Sequence, residues 1–437
     1  MNIKKEAIAG LKWTTVSTVI LSLAAIIKIS LLARYLDKSD FGLMALVMFV
    51  LDFMNLFMDM GITTAIIHKQ FITKNEYSSL YWLNFMFSLI LFIIIWFLSS
   101  RIASFYNERE LGILIPIMAS SLIISAVGRQ FKTIRQKDMK FKTISIVDIA
   151  TAPASVILAV YLALNNYGVY ALVYSALFQY ITSNIVFLIV GLNDIGLNFH
   201  FSFRETIPFL KIGMYQVGGQ VINYFNRDID TLIIGKLLGT EILGGYSLAK
   251  QLVFKPVQII NPIVTKIAGP LLANFQKDKV ALKYYYLKLL NMVATINIPI
   301  YIFMAIFASF IVRILYGTGF QNIVSLVQIL SIYMIFRAIG NPIGSLVTAT
   351  GRTDIEFYWN MIILIITPIA VYLGSFISIE AVALSLLCSM IVMFIPSWKF
   401  LVNKLISVSL GSYIKSSLPN FKIYIDYVKN TVNSNKF

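Results

Sequence analysis

The sequence is poor in charged residues and nearly devoid of cysteine and histidine. Asp, Glu, Lys and Arg make up 13% of its 437 residues, whereas a soluble domain usually carries about a quarter. The single cysteine, Cys388, excludes a disulfide framework within the chain. The two histidines, His68 and His200, lie at or outside the ends of apolar segments, so no histidine-based metal site and no cofactor are predicted.

Sequence motifs for catalysis are also lacking. The chain has no GxxxxGK[ST] phosphate-binding loop, which argues against a built-in ATPase. No Cys/His or Ser/His/Asp arrangement has a supporting context, and no enzymatic activity is predicted. The predicted outer loops are short, which counts against a glycosyltransferase or polymerase with its chemistry outside the cell. A non-transporting scaffold for glycan assembly stays open as an alternative.

Long apolar runs dominate the chain, which is 58% hydrophobic with a mean hydropathy of +0.80. A membrane-spanning helix needs roughly 20 apolar residues, and backbone polar groups in a bilayer must be satisfied within helices. We therefore predict an all-α integral membrane protein with about twelve transmembrane helices. The predicted spans are 13–33, 42–67, 80–99, 111–127, 144–164, 168–190, 207–226, 242–268, 287–311, 323–347, 357–376 and 380–402.

Basic residues follow the predicted topology. The net charge is +16, and lysines and arginines concentrate in alternate loops. This pattern predicts a multi-pass protein of the bacterial inner membrane with both termini in the cytoplasm, and no nucleic-acid partner. The most basic loop, residues 128–143 (GRQFKTIRQKDMKFKT), either orients the chain or lies on the anionic leaflet or a partner.

A short internal repeat relates residues 33–46 to residues 235–248. An offset of 202 aligns a basic residue, a leucine, an apolar–glycine pair and a second leucine. Six spans per half keep both halves in the same orientation, so the repeat predicts two pseudo-symmetric six-helix bundles around a central cavity. The predicted parts are an N-terminal bundle at 1–190, a cytoplasmic linker at 191–206, a C-terminal bundle at 207–402 and a cytoplasmic tail at 403–437.

Acidic and amide side chains share one face of the second predicted span. Asp52, Asn55 and Asp59 are spaced i, i+3 and i+7. Ionisable groups inside a membrane usually mark a pathway, so these three and Asp230 are predicted to couple ions. The alternative is an ion pair with Lys28 that only fixes helix packing.

A polar stripe in the seventh predicted span indicates a water-filled cavity, since lipid would exclude it. The alternative is a polar seam between helices. The eighth and tenth predicted spans contain three further cations, Lys250, Lys255 and Arg337. Cations inside a cavity suit an anionic ligand such as a phosphate or pyrophosphate. The predicted substrate-binding residues are Lys28, Gln216, Gln220, Asn223, Arg227, Lys250, Lys255 and Arg337.

Several motifs together resemble those of Wzx-type polysaccharide flippases, members of the multidrug/oligosaccharidyl-lipid/polysaccharide exporter superfamily. The matching segments are 32–43 (LARYLDKSDFGL), 168–173 (GVYALV) and 228–247. One departure is that longer relatives carry two further C-terminal helices.

The resemblance implies two six-helix bundles in a V shape. It implies a flippase that translocates an undecaprenyl-pyrophosphate-linked oligosaccharide from the cytoplasmic to the outer leaflet by alternating access. The process served would be synthesis of lipopolysaccharide O-antigen or another cell-surface polysaccharide. The implied partners are membrane lipids, H⁺ or Na⁺, and polysaccharide polymerase and assembly proteins. The alternative is a cation-coupled drug or organic-cation antiporter of the same superfamily, which the basic residues disfavour.

Overall fold

The computed structural model describes residues 3–69 and 71–421, and all regular structure in these ranges is helical. The helices are α1 Ile3–Leu32, α2 Lys38–Asp59, α3 Ile62–His68, α4 Lys74–Tyr106, α5 Leu111–Lys137, α6 Phe141–Leu164, α7 Val169–Asp194, α8 Phe203–Leu237, α9 Thr240–Asn274, α10 Lys279–Ile306, α11 Ala308–Tyr316, α12 Val324–Gly340, α13 Pro342–Thr350, α14 Thr353–Ser375, α15 Ile379–Ser397, α16 Lys404–Ile406 and α17 Leu410–Ser416. A 3₁₀ turn at Thr318–Ile323 precedes α12, and a π-helical turn at Trp398–Asn403 follows α15.

Ten helical segments of the described ranges are long and apolar enough to cross a membrane. They confirm the predicted all-α integral membrane protein and match ten of the twelve predicted spans. The other two, 207–226 and 242–268, lie in the 35-residue helices α8 and α9. These two helices carry charged side chains such as Arg227 and Lys250 along their length. The total of twelve spans stays a prediction.

Local sequence signals set the helix ends. Thr73 caps α4 by accepting from the Glu76 backbone N–H, while the Glu76 carboxylate accepts from the Thr73 N–H. Asp278 caps α10 in a similar way. Between α2 and α3, Met60 and Gly61 both have positive φ angles, of 44° and 68°. This left-handed pair ends α2 and redirects the chain.

The basic stretch predicted as the loop 128–143 is largely helical. Helix α5 continues to Lys137, and only three residues separate it from α6. Arg135 of this stretch is buried and pairs with Asp194 of α7 at 2.6 Å, while Lys132 pairs with Asp148 of α6 at 3.0 Å. The loop prediction was wrong, because α5 continues through this stretch and the positive charges pair with neighbouring helices.

The chain divides into two compact units. Unit 1 comprises Met1–Ser247 and Leu315–Gly319, and unit 2 comprises Leu248–Ile314 and Phe320–Phe437. The predicted division into bundles at 1–190 and 207–402 stays a prediction. In unit 1, α4, α5, α6 and α7 pack side by side, α1 packs on α6, and α8 packs on α2 and α4. Phe131 and Phe187 lie in its core.

Unit 2 is built around α10, α12 and α15, with α14 packed on α15. The segment after Asn403, predicted as part of a cytoplasmic tail, forms α16 and α17 and packs against α10. Asn291 of α10 donates to the carbonyls of Ser416 and Leu418, the latter at 2.7 Å. The Trp398 indole donates to the Val408 carbonyl at 2.8 Å. The segment from 404 to 421 is therefore an integral part of unit 2.

Candidate functional site

The acidic face of α2 forms a polar cluster with α5 in unit 1. Asn55 accepts a hydrogen bond of 3.1 Å from the guanidinium of Arg129. Asp59 accepts one from Thr63 and lies within electrostatic range of the same arginine. The helical spacing of Asp52, Asn55 and Asp59 thus produces the shared face that the sequence predicted.

The sequence reasoning missed Arg129 as a site residue by assigning it to the loop after the fourth span. In the structure it lies on α5, two residues beyond the predicted end of that span. Its partner Asn55 is 74 residues away along the chain. The signal for a longer helix was present, since Val127, Phe131 and Ile134 continue an apolar spacing of four and three residues.

Helix α8 brings a second set of charges towards Asp52. Arg227 pairs with the neighbouring Asp228 at 2.6 Å, and its guanidinium carbon lies 5.8 Å from the centre of the Tyr224 ring. Tyr224 in turn donates to the backbone carbonyl of Phe49 on α2. Asp52 lies within electrostatic range of both Arg227 and Asp228.

The polar stripe of α8 is only partly covered by protein. Gln220, Asn223 and Arg227 are exposed, which counts against a sealed seam between helices. The side chain of Gln216 lies outside the described part of the structure. Asp230 differs from the other members, because it is buried and accepts a hydrogen bond of 2.6 Å from the Tyr246 hydroxyl.

Lys28 is half-buried on α1. In the described ranges, no ion pair joins it to Asp52, so the predicted packing pair between these residues is not formed here. Lys255 of α9 is likewise half-buried, and the described residues place no carboxylate in an ion pair with it.

Unit 2 contains a cluster of cations and aromatic rings formed by α9 and α12. The Lys250 ammonium lies 5.9 Å from the centre of the Phe254 ring, and the guanidinium carbon of Arg337 lies 5.3 Å from the same centre. Arg337 also donates to the Tyr333 hydroxyl at 2.7 Å. We call Lys250, Phe254, Tyr333 and Arg337 the cation–aromatic cluster. Both aromatic members escaped the sequence reasoning, although each lies four residues from its cation.

Residues 31–325 match the model of a family described as "Polysaccharide biosynthesis protein". The chain belongs to this family. The match confirms the resemblance drawn from the motifs at 32–43 and 168–173. It also includes α2, α8 and α9, which carry most of the predicted site residues.

Two relatives show how far the similarity extends. The chain is 30% identical to the teichuronic acid biosynthesis protein TuaB of Bacillus subtilis (strain 168), over 97% of this chain and 87% of TuaB. It is 28% identical to the lipopolysaccharide biosynthesis protein WzxC of Escherichia coli (strain K12), over 95% of this chain and 85% of WzxC.

Solved structures share the fold. The lipid II flippase MurJ in an inward closed conformation matches with a TM-score of 0.76 at 15% identity, over 93% of this chain and 90% of MurJ. An inward-facing multidrug resistance MATE transporter matches with a TM-score of 0.71 at 13% identity, over 89% of this chain and 94% of the transporter. The family fold is therefore that of the exporter superfamily named by the sequence motifs.

Proposed function

We propose that this family member is a flippase that moves an undecaprenyl-pyrophosphate-linked oligosaccharide from the cytoplasmic to the outer leaflet during cell-surface polysaccharide synthesis. Its membership of the polysaccharide biosynthesis family supports the process, and the named roles of WzxC and TuaB support the product class. The observation that carries the substrate chemistry is the cation–aromatic cluster, with Lys250 and Arg337 at one ring.

Two cations beside one aromatic ring attract an anion. The ring face stabilises each cation, but the positive charges of Lys250 and Arg337 repel each other in a low-dielectric surrounding. A pyrophosphate would offset this repulsion, and the planar guanidinium of Arg337 suits bidentate binding of phosphate oxygens. Lys255, in the same stretch of α9, adds a third cation for the head group.

The exposed stripe of α8 suits the glycan part of the substrate. Gln220 and Asn223 each offer an amide donor and acceptor for sugar hydroxyls, and Arg227 adds a cation. A membrane helix can expose such groups only to water or to a polar ligand. We assign Gln216, on the same stripe by its spacing, and Lys28 to this substrate-binding set.

The acidic face of α2 is the proposed site of ion coupling. Asn55 and Asp59 lie beside Arg129, so a coupling proton or Na⁺ would have to compete with a guanidinium there. The same arginine disfavours an organic-cation antiporter, because it already neutralises part of this face. Asp230 is the weakest member of the coupling set, since Tyr246 and the Thr231 N–H hold its buried carboxylate.

The proposal extends to the topology. Both termini would lie in the cytoplasm, and the protein would lie in the bacterial inner membrane as two six-helix bundles joined by the linker at 191–206. This arrangement follows from the alternation of basic loops.

A reconstituted system tests the function. Purified protein is placed in liposomes, and leaflet exchange of an undecaprenyl-pyrophosphate-linked fluorescent disaccharide is followed for wild type, Lys250→Ala and Arg227→Ala. We expect exchange above that of empty liposomes in wild type and at least a tenfold loss in both variants. Arg352→Ala is the matched control, because Arg352 is exposed and paired with Asp354 at 2.9 Å, away from the cluster.

The outcomes separate the alternatives. Exchange that survives both variants would keep the flippase and refute the site assignment. A wild type that moves no lipid-linked glycan but transports an organic cation against a proton or Na⁺ gradient would establish the antiporter instead.

A further inference from the structure

The segment 404–421, which follows α15 in unit 2, is bonded to α10 at successive levels. At one end, the Lys283 ammonium donates to the Ser407 carbonyl at 3.0 Å. At the other end, the Thr295 hydroxyl accepts from the Asn420 N–H at 3.0 Å. The Asn291 amide, between these two levels, bonds the carbonyls at the end of α17. The segment therefore runs alongside α10 in the direction from residue 283 to residue 295.

These bonds reach into the predicted membrane span 287–311. Lys283 comes four residues before this span, whereas Thr295 lies eight residues inside it. At a rise of about 1.5 Å per residue, Thr295 is about 12 Å along the helix from the start of the span. The hydrocarbon core of a bilayer is about 30 Å thick. Asn420, which is bonded to Thr295, would therefore lie within one leaflet, and the predicted orientation makes this the cytoplasmic leaflet.

The backbone donors just after α17 are satisfied, as the interior of a bilayer requires. The N–H groups of Ser417 and Leu418 donate to carbonyls of α17. Pro419 has no N–H, and the N–H of Asn420 is bonded to Thr295. Each backbone N–H from 417 to 420 is thus either bonded or absent, although these residues lie outside regular structure.

The exposed side chains of the segment change from polar to apolar along the same path. Its first part exposes small or charged residues, namely Lys404, Ser407, Ser409 and Gly411. Further along, Ile414, Leu418 and Phe421 are 41%, 57% and 53% exposed. Lys415 is also exposed, and its long side chain can extend towards the lipid head groups. The change in polarity therefore follows the depth that the bonds to α10 indicate.

We propose that residues 414–421 insert into the cytoplasmic leaflet and present Ile414, Leu418 and Phe421 to the lipid acyl chains. Asn291 and Thr295 hold the segment in place by bonding its backbone. The segment in turn covers these two polar side chains of α10, and both residues are buried. The inference rests on the predicted span 287–311 and its proposed orientation, and not on the identity of the transported substrate.

Nitroxide accessibility in phosphatidylcholine–phosphatidylglycerol liposomes tests the insertion. Leu418→Cys and Gly411→Cys are each combined with Cys388→Ser, so that the full chain carries one spin label. Gly411 is the matched reference, because it is exposed in the same segment and an added Cβ would meet no atom within 4 Å. We expect the label at 418 to be at least threefold more accessible to O₂, which concentrates in lipid, than to a water-soluble nickel chelate. The label at 411 should show the reverse preference.

Substitutions on α10 test what holds the segment in the leaflet. Asn291→Leu, added to Leu418→Cys, removes the donor to two carbonyls, so the accessibility of the label to the nickel chelate should rise at least threefold. Asn297→Leu is the matched control, because the Asn297 amide is buried on the same helix and donates to the Val293 carbonyl of α10 itself. Thr295→Val removes the acceptor of the segment's last bond and should give a smaller rise. It serves as the second variant if Asn291→Leu does not fold.

Each outcome decides the proposal. Nickel accessibility at 418 that equals or exceeds that at 411 would place the segment in water and overturn the insertion. Low accessibility at 418 to both reagents would mean that protein, such as a second copy of the chain, covers these side chains, and would overturn it as well. A preference for O₂ that survives both α10 variants would overturn the role of α10 in holding the segment. The accessibility measurement needs no transport, so a failure of the proposed function would leave it unaffected.

Discussion

The cations of α5 in unit 1 and the cations of the cation–aromatic cluster in unit 2 have different partners. In unit 1, Arg135 and Lys132 each meet a carboxylate, and Arg129 meets the Asn55 amide. In unit 2, Lys250 and Arg337 lie against the Phe254 ring. A carboxylate compensates the charge of its partner, whereas an aromatic ring face attracts a cation without carrying a net charge.

The comparison separates cations that connect helices from cations that are proposed to bind the substrate. The unit 1 pairs connect neighbouring helices: α5 to α7, α5 to α6, and α5 to α2. Breaking them should loosen the packing of α5. The cluster in unit 2 places Lys250 and Arg337 at one ring, and the role proposed for them is to bind a pyrophosphate. Stability and transport should therefore respond to different arginines.

The largest expected effect comes from replacing one arginine of each unit, Arg135 or Arg337, by glutamine. Arg135→Gln removes a buried guanidinium that bonds the Asp194 carboxylate at 2.6 Å and the Val190 carbonyl at 3.2 Å. Hydrogen bonds to charged groups contribute about 1.5–3 kcal/mol, so we expect the Tm in detergent to fall by several degrees. Arg337→Gln should lower the Tm less than Arg135→Gln does and reduce lipid exchange at least tenfold.

Thermal unfolding and the liposome assay on the same preparations measure both effects. The comparison would break if Arg337→Gln lowered the Tm as much as Arg135→Gln does. Lys132→Gln is a milder control for unit 1, because the Lys132 side chain is 39% exposed and solvent screens its pair with Asp148.

The aromatic ring should matter almost as much as the cations. Phe254→Leu keeps an apolar side chain of similar volume but removes the ring face that Lys250 and Arg337 share. Cation–π contacts contribute about 0.5–2 kcal/mol, so we expect a several-fold fall in lipid exchange. Phe254→Tyr keeps the ring and should retain most of the activity. Equal activity in the Leu and Tyr variants would show that the ring only fills space.

Sequence alone predicted the features that depend on local periodicity. The length of the apolar runs predicted twelve spans, and ten of them match helices of the described ranges. Helical spacing predicted that Asp52, Asn55 and Asp59 share one face of α2. It missed contacts made by distant segments, such as Arg129 with Asn55. It also missed the ring that Lys250 shares with Arg337 on another helix. Charge and hydropathy describe single segments, whereas these contacts depend on which helices become neighbours.

Replacing Arg129 tests the comparison within unit 1. Its expected effect on the Tm is smaller than that of Arg135→Gln. Arg129→Gln removes the 3.1 Å hydrogen bond to Asn55 and the positive charge near Asp59. A glutamine retains a donor but no charge, so we expect a modest fall in Tm. If Asp59 couples ions, the loss of the competing charge should also change the dependence of exchange on pH or Na⁺. Exchange assays at two Na⁺ concentrations and two pH values measure this, and an unchanged dependence would remove Arg129 from the coupling site.

The smallest expected effect concerns residues 198–205, around the start of α8, which lie between the predicted spans 168–190 and 207–226. Glu205 accepts hydrogen bonds from the Ser79 hydroxyl at 2.7 Å and contacts the His200 ring at 3.1 Å. The Ser79 hydroxyl, followed by His200, lowers the pKa of Glu205 below its usual range. Ser79 also accepts from the Ser202 N–H at 3.0 Å, which ties the linker to α4.

A carboxyl group whose pKa is lowered in the folded state stabilises that state above its unfolded pKa, about 4.3 for Glu. The contribution is lost as the pH falls through the folded value. We therefore expect residues 198–205 to lose hydrogen-exchange protection at pH 3.5 relative to pH 6.5, after correction for the intrinsic exchange rate. Glu205→Gln should show the weaker protection at both pH values, because its amide binds Ser79 without a charge. Protection in wild type that is the same at both pH values would mean that two other hydrogen bonds hold the linker without help from Glu205. In these bonds, both of 3.1 Å, the Trp82 indole donates to the Asn198 carbonyl and the Asn198 N–H donates to the Ser78 hydroxyl.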